Sequence, residues 1–179
     1  MNIKDKTAII TGSSRGIGKA IAYRMAEHGA KVIITSRKID ACENVAEEIN
    51  STFGKDTATA ISCNISDKEQ LKNLYVKSKE FCGSITTLVC NAAVNPYFGP
   101  SNNIPDEAFE KIMKSNVQSN FWLCNEILPD MVKIKNGSII IISSIAGLHG
   151  SSMLGAYAIS KAADCLLYTS PSPRDQAKS

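Results

Sequence analysis

The sequence predicts an α/β protein: a doubly wound parallel sheet with helices on both faces, three layers in all. Three observations predict it. Short apolar runs alternate with amphipathic stretches, the pattern of stacked βαβ units. A glycine-rich turn joins the first run to the first amphipathic stretch. The runs, TAIIT, VIIT and SIIII among them, are apolar nearly throughout, as strands covered on both faces must be.

The elements follow in order. Thr7 to Thr11 is the first strand, and after the glycine-rich turn comes a helix whose apolar spacing is Ile17, Ala20, Ile21 and Met25. Gly29 stands where a left-handed cap closes that helix. Val32 to Thr35 is the second strand, and a helix from about Asp40 to Phe53 stops at Gly54. Thr57 to Ser62 is the third strand. Ser66 and Glu69 read as a capping box for a helix that runs to Cys82 and closes at Gly83. Thr87 to Cys90 is the fourth strand. Pro105 opens one long helix through Leu128, with acids in its first turn to suit the dipole. Ser138 to Ile142 is the fifth strand, and another helix begins near Tyr157.

Composition narrows the function classes. At 179 residues, 44% hydrophobic and 21% charged, the chain reads as one soluble globular domain. A net charge of +3, with lysines and arginines scattered among acids, gives no stripe for nucleic acid. No window offers 18 consecutive apolar residues, and the N-terminus has no apolar signal core, so neither a membrane nor export is expected. The six cysteines show no C-x-x-C spacing and have no histidine cluster beside them. Free thiols in a reducing compartment, the cytoplasm, are expected, with no metal.

The turn after the first strand reads Thr11-Gly12-Ser13-Ser14-Arg15-Gly16-Ile17-Gly18. A strand before it and a helix after it present free backbone N–H groups and the positive helix end to a pyrophosphate. At the end of the second strand stand Ser36-Arg37-Lys38, two cations and no acid. They suit a 2′-phosphate on the adenosine ribose, so NADP(H) is expected over NAD(H).

Downstream, Tyr157 and Lys161 are four apart at a helix start and so share one face. A phenol is a poor proton shuttle at neutral pH, and a neighbouring ammonium favours its anion. Ser144 follows the fifth strand, at the sheet edge where ligands bind in such folds.

With TGSSRGIG, Cys90-Asn91-Ala92-Ala93, Asn116, Ser144 and the Y-x-x-x-K pair in this order, the sequence resembles the short-chain dehydrogenase/reductase family, in its branch of short single-domain subunits. The resemblance implies a Rossmann-type fold and interconversion of a carbonyl and an alcohol on a small molecule. It implies cofactor contacts at Gly12, Ser14, Arg15, Gly16, Ile17, Gly18, Arg37, Lys38, Asn64, Ile65, Asn91, Ala92, Ala93, Tyr157 and Lys161. It further implies a catalytic group of Asn116, Ser144, Tyr157 and Lys161. Tyr157 would exchange the proton, Ser144 hold the substrate oxygen, Lys161 hold the nicotinamide ribose and Asn116 support a water. Two departures stand out: Asn64 replaces an aspartate, and Cys90 and Ala93 flank the usual Asn-Ala pair.

The stretch NAAVNPYFG resembles the carbonyl and retinal reductases of the family, and its Tyr97 and Phe98 would suit a hydrophobic ketone or aldehyde. 3-Oxoacyl-thioester reduction is the rival within the enzymes, and a non-catalytic cofactor-binding protein is the rival of another class. His149 lies near the substrate in relatives, though a solvated loop histidine reads as well.

The resemblance covers residues 1–164, expected to be an incomplete NADP-binding catalytic domain whose last strands are missing. Residues 165–179, with LLYTSPSPRD, read as a tail foreign to the family, disordered or a sequence artefact. On that reading the fifth strand keeps an uncovered edge, and the chain as it stands folds poorly. Relatives imply a homodimer or homotetramer for the complete protein.

Overall fold

The structure, a computed structural model, describes residues 3–167. The expected tail from 168 onward lies outside the described residues. Two compact units emerge: residues 3–93 with Gln118–Ile142, and Val94–Val117 with residues 143–167.

The first unit is the sheet and its helices. Strands β1 (Thr7–Thr11), β2 (Lys31–Ser36), β3 (Ala58–Ser62), β4 (Thr87–Cys90) and β5 (Ser138–Ile141) are all parallel, in the order β3-β2-β1-β4-β5. The order reverses at β1, so the loops after β1 and β4 diverge there, the place where such sheets bind ligands. Helices α1 (Gly16–Glu27), α2 (Ile39–Phe53), α3 (Lys68–Cys82) and α5 (Ser119–Ile134) belong to this unit, and α4 (Asp106–Met113) to the second. Side chains alternate along each strand, and β1 pairs with β2 in register, Ile9 to Ile33 and Ile10 to Ile34. Two cores result. Ile10, Ile34 and Val89 pack with Ala22, Ala26, Val45 and Ile49 of α1 and α2. Ile9, Ile33 and Leu88 pack with Leu71, Leu74, Leu123 and Ile127 of α3 and α5. Each fully buried isoleucine contributes about 1.5–3 kcal/mol.

Several expectations are corrected. The buried line of α1 is Gly18, Ala22 and Ala26, while Ile17 is 65% exposed and Ala20 is exposed. Small residues bring the helix axis close to the sheet, and Ile21 and Met25 are left as half-buried flanks. The cap of α3 is Asp67, not Ser66: its carboxylate accepts from the N–H groups of Glu69 and Gln70 at 3.0 and 3.2 Å.

The single long helix is in fact α4 (Asp106–Met113), a π-helical turn (Lys114–Gln118) and α5. α5 runs through Pro129 to Ile134, with Ile127 and Met131 buried on either side of the proline. Packing on both flanks outweighs the one backbone bond a proline omits. The strand SIIII is not covered on both faces: Ile139 and Ile141 are half-buried, and Ile140 is 44% exposed. Among the described residues β5 is a sheet edge, as the reading of an uncovered fifth strand expects.

The second unit holds the loop after β4, α4, a 3-10 turn (Ile145–Gly147) and α6 (Gly155–Leu166). α6 packs on the 3-10 turn and on α4, and the Gly99 N–H donates to the Met153 carbonyl at 3.0 Å. The helix carries Tyr157 in its first turn, as expected, and continues two residues past position 164.

Candidate active site

In the first unit the residues expected to bind cofactor gather at the C-terminal ends of β1 to β4. Gly12 and Gly16 adopt φ of +68° and +57°, which a side chain resists, so the glycines there are required by the turn. Ser13 is fully buried and staples the turn to β2. Its Oγ donates to the Ile10 carbonyl at 2.6 Å and accepts from the Thr35 N–H at 2.9 Å. A Cβ on Gly18 would stand 2.6 Å from Asn91 Nδ2 and 2.6 Å from the Gly12 carbonyl, so α1 meets the turn only through glycine. Asn91 Nδ2 donates to the Thr11 carbonyl at 2.8 Å, and Thr11 Oγ1 accepts from the N–H groups of Asn91 and Ala92 at 2.9 and 3.0 Å. The loops after β1 and β4 are thereby locked together.

What the turn leaves open is as informative. Arg15 and Gly16 are exposed, a Cβ at Gly16 would meet nothing within 4 Å, and Ser14 is half-buried. α1 has no side-chain cap and no acid in its first turn, which leaves its N-terminal dipole without an acid of its own. Open space at Gly16, a helix N-terminus with no acid in its first turn and a glycine floor fit a dinucleotide's pyrophosphate. Arg37 and Lys38 are exposed after β2; the Ser36 hydroxyl accepts from the Lys38 N–H at 3.3 Å, and the Lys38 carbonyl accepts from the Cys42 N–H at 3.3 Å. Asn64 is exposed, but its Oδ1 already accepts from the Ser66 N–H at 3.2 Å, and the half-buried Ile65 lies beside it. Ala93 is exposed.

All four expected catalytic residues fall within the second unit. Asn116 is fully buried in the π-helical turn, a distortion that re-aims side chains and recurs at functional sites. Its Oδ1 accepts from the Val94 N–H at 2.8 Å. Its Nδ2 donates to the Val94 carbonyl and to Ser160 Oγ, each at 3.0 Å. Ser160 in turn donates to the Tyr157 carbonyl at 2.7 Å, so Asn116 is tied to the first turn of α6. Ser144 caps the 3-10 turn, its Oγ accepting from the Ala146 N–H at 3.2 Å.

Tyr157 is half-buried. Lys161 is buried, its Nζ 6.0 Å from the centre of the Tyr157 ring. Glycine is required at 147, where a Cβ would meet the Lys161 carbonyl oxygen at 2.8 Å. Asp164 was not foreseen: its Oδ2 lies 2.9 Å from Lys161 Nζ. The i,i+3 spacing of opposite charges was in the sequence, but the burial of both was not.

The remaining candidates divide. Tyr97 packs into the loop, donating to the Pro100 carbonyl at 3.0 Å and lining a narrow cavity with Ile104, Ile112, Met153 and Tyr157. Phe98 is 70% exposed, and His149 is exposed. The six cysteines are free, and burial pushes the Cys63 thiol up to about 12, which makes it inert as a nucleophile. Among the described residues no group of three metal-ligating side chains forms. No described helix is long and apolar enough to cross a membrane.

Known proteins place this arrangement. The family described as short chain dehydrogenase matches residues 6–171. Dehydrogenase/reductase SDR family member 4 of Bos taurus is 36% identical over 162 residues, 90% of this chain and 57% of that protein. Dehydrogenase/reductase SDR family member 2, mitochondrial, of Homo sapiens is 37% identical over 162 residues, 90% of this chain and 56% of that protein. A solved 7α-hydroxysteroid dehydrogenase, complexed with NADH and 7-oxo glycochenodeoxycholic acid, superposes with a TM-score of 0.87 at 34% identity. That match covers 93% of this chain and 64% of the other. A short-chain type dehydrogenase/reductase from Mycobacterium marinum gives 0.85 at 32% identity, covering 93% and 67%. The chain belongs to the short-chain dehydrogenase/reductase family, and its fold is the Rossmann-type α/β fold of that family. It spans somewhat over half the length of the curated relatives it matches.

Proposed function

We propose that the protein is an NADP(H)-dependent oxidoreductase that interconverts a hydrophobic ketone or aldehyde and its alcohol. The observation that carries this reading is the second unit's cluster: a half-buried tyrosine and a buried lysine one turn apart on α6, with Asn116 bonded to the same turn. When bound, the nicotinamide supplies or accepts the hydride. Gly12 to Gly18 and the N-terminus of α1 would hold its pyrophosphate, and Asn91 and Ala92 would border it.

Tyr157 Oη gives the proton to the substrate oxygen in reduction and takes it back in oxidation. Ser144 Oγ donates a hydrogen bond to that oxygen and keeps it beside the phenol. Lys161 Nζ would donate to the nicotinamide ribose. Asn116 fixes the helix turn that carries Tyr157 and supports the water through which the proton leaves.

Arg37 and Lys38, exposed and without an acid among Ser36 to Lys38, support NADP(H), although the similar 7α-hydroxysteroid dehydrogenase holds NADH. The exposed Phe98 supports a hydrophobic substrate. Six free cysteines support a reducing compartment such as the cytoplasm, and the exposed Phe109, Phe121 and Val132 support a homo-oligomer.

Tyr157→Phe tests the mechanism. With NADPH and an aromatic ketone, turnover should fall by about 10³-fold or more, in the range that loss of a proton donor gives. NADPH affinity should stay within about twofold, since Tyr157 adds little to cofactor binding energy. Equal turnover in both proteins would overturn the assignment.

A further inference from the structure

Lys161 and Asp164 form an ion pair at 2.9 Å, with side chains 3% and 0% exposed. It is the most deeply buried of the ion pairs among the described residues; the others are at least a quarter exposed on each partner. An isolated ammonium in such surroundings carries a large desolvation cost, and a carboxylate in direct contact offsets it. Both residues lie on α6, three apart, so the helix itself sets the contact. The Lys161 backbone is held as well. Its carbonyl accepts from Ser143 Oγ at 2.9 Å, and its closeness to Gly147 leaves no room to shift. With the main chain fixed, the position of Nζ is decided by what the side chain binds.

We propose that Asp164 is a positioning residue of the active site: its carboxylate pairs with Lys161 Nζ and fixes where that group lies beside the Tyr157 ring. This rests on the oxidoreductase reading for its consequence but not for its geometry. Asp164 touches neither substrate nor cofactor in this scheme and acts only through Lys161.

Two readouts on the full chain test it. In protein labelled with ¹⁵N at lysine, Lys161 should give a slowly exchanging ammonium signal, identified by its loss in Lys161→Met. That signal should disappear in Asp164→Asn, whose amide has the same shape and no charge. In NADPH-driven reduction of an aromatic ketone, Asp164→Asn should lower kcat about tenfold or more with KM within about twofold, as breaking a buried pair predicts. In the Lys161→Met background the same substitution should cost less than about twofold, because residues acting through one group are not additive. Asp164→Glu, which keeps the charge, should recover part of the loss.

An ammonium signal unchanged in Asp164→Asn would overturn the proposal whatever the turnover. So would an equal loss of kcat in the wild-type and Lys161→Met backgrounds. If the signal behaves as expected and no variant turns over ketone, the ion pair stands and the oxidoreductase reading fails.

Discussion

The middle of the sheet and its β5 edge are built to different standards. β1 is buried at all five positions and lies between β2 and β4, with helices on both faces. β5, an equally apolar sequence, alternates between exposed and half-buried residues, and Ile140 and Ile145 are open to solvent. The middle of the sheet is therefore complete in its packing and hydrogen bonding, from the Ser13 staple to the Thr11–Asn91 lock. Within the second unit, order around α6 comes from polar ties, namely Asn116 to Ser160, Ser143 to Lys161 and Lys161 to Asp164, as much as from apolar contact. A run of isoleucines specifies a strand; whether it is covered depends on what packs beside it.

Substitution on an interior strand and on the edge strand should expose this difference. Leu88→Ala, in the fully buried core of β4, should cost about 3 kcal/mol in chemical denaturation, within the range for buried leucines. Ile140→Ala on β5 should cost under about 1 kcal/mol, since little area is removed from contact. Similar losses at both positions would show that β5 is covered in solution.

The phosphate turn is the next point of leverage. Gly18→Ala forces a methyl against Asn91 and the Gly12 carbonyl and should cost about 2 kcal/mol, the ordinary cost of overpacking. It should also weaken NADPH binding, which the same sample can report. A variant that melts and binds like the parent would remove the tight approach of α1 from the account.

The smallest effect concerns pH. Tyr75, Lys79 and Asp130 join α3 to α5, with Lys79 Nζ 2.6 Å from Asp130 Oδ2 and the Tyr75 hydroxyl also donating to Asp130. Hydrogen bonds from Lys79 and Tyr75 hold the Asp130 carboxyl below its ordinary 3.8. That stabilisation is present above the ordinary value and is lost as pH falls through the lower folded one. Burial, and then the bond to Asp130, push the Tyr75 phenol above its ordinary 10.0, so its share is lost at the alkaline end. Melting temperature against pH should thus decline less steeply on the acid side in Asp130→Asn than in the parent. Parallel acid limbs would show that the cluster is not formed in solution.

Much of this was legible in the sequence. Thr87 to Cys90 and Thr7 to Thr11 are strands at the expected bounds, because glycine, polar turns and apolar runs change abruptly there. The glycine turn could be read for the same reason: the positive φ of Gly12 and Gly16 restricts residue type. Less was legible where several residues suffice. Ser66 and Asp67 both could cap α3, and the choice fell to the carboxylate that reaches two N–H groups. The π-helical turn in KSNVQ has no local signature. Ile17 obeys helical spacing yet is exposed, because the helix approaches the sheet through Gly18 and Ala22 instead. Asp164 is an ordinary charge in sequence, and only burial makes it significant.

The central claim, that this turn holds an NADP(H) cofactor, is tested most directly by titrating the full chain with NADPH and NADH and following the nicotinamide fluorescence. The account predicts saturable binding of NADPH, about tenfold or more tighter than NADH. In Arg37→Ala the preference should shrink by about tenfold, the worth of one charge-assisted bond to a phosphate. No saturable binding of either nucleotide, or a preference for NADH that Arg37→Ala leaves untouched, would contradict it.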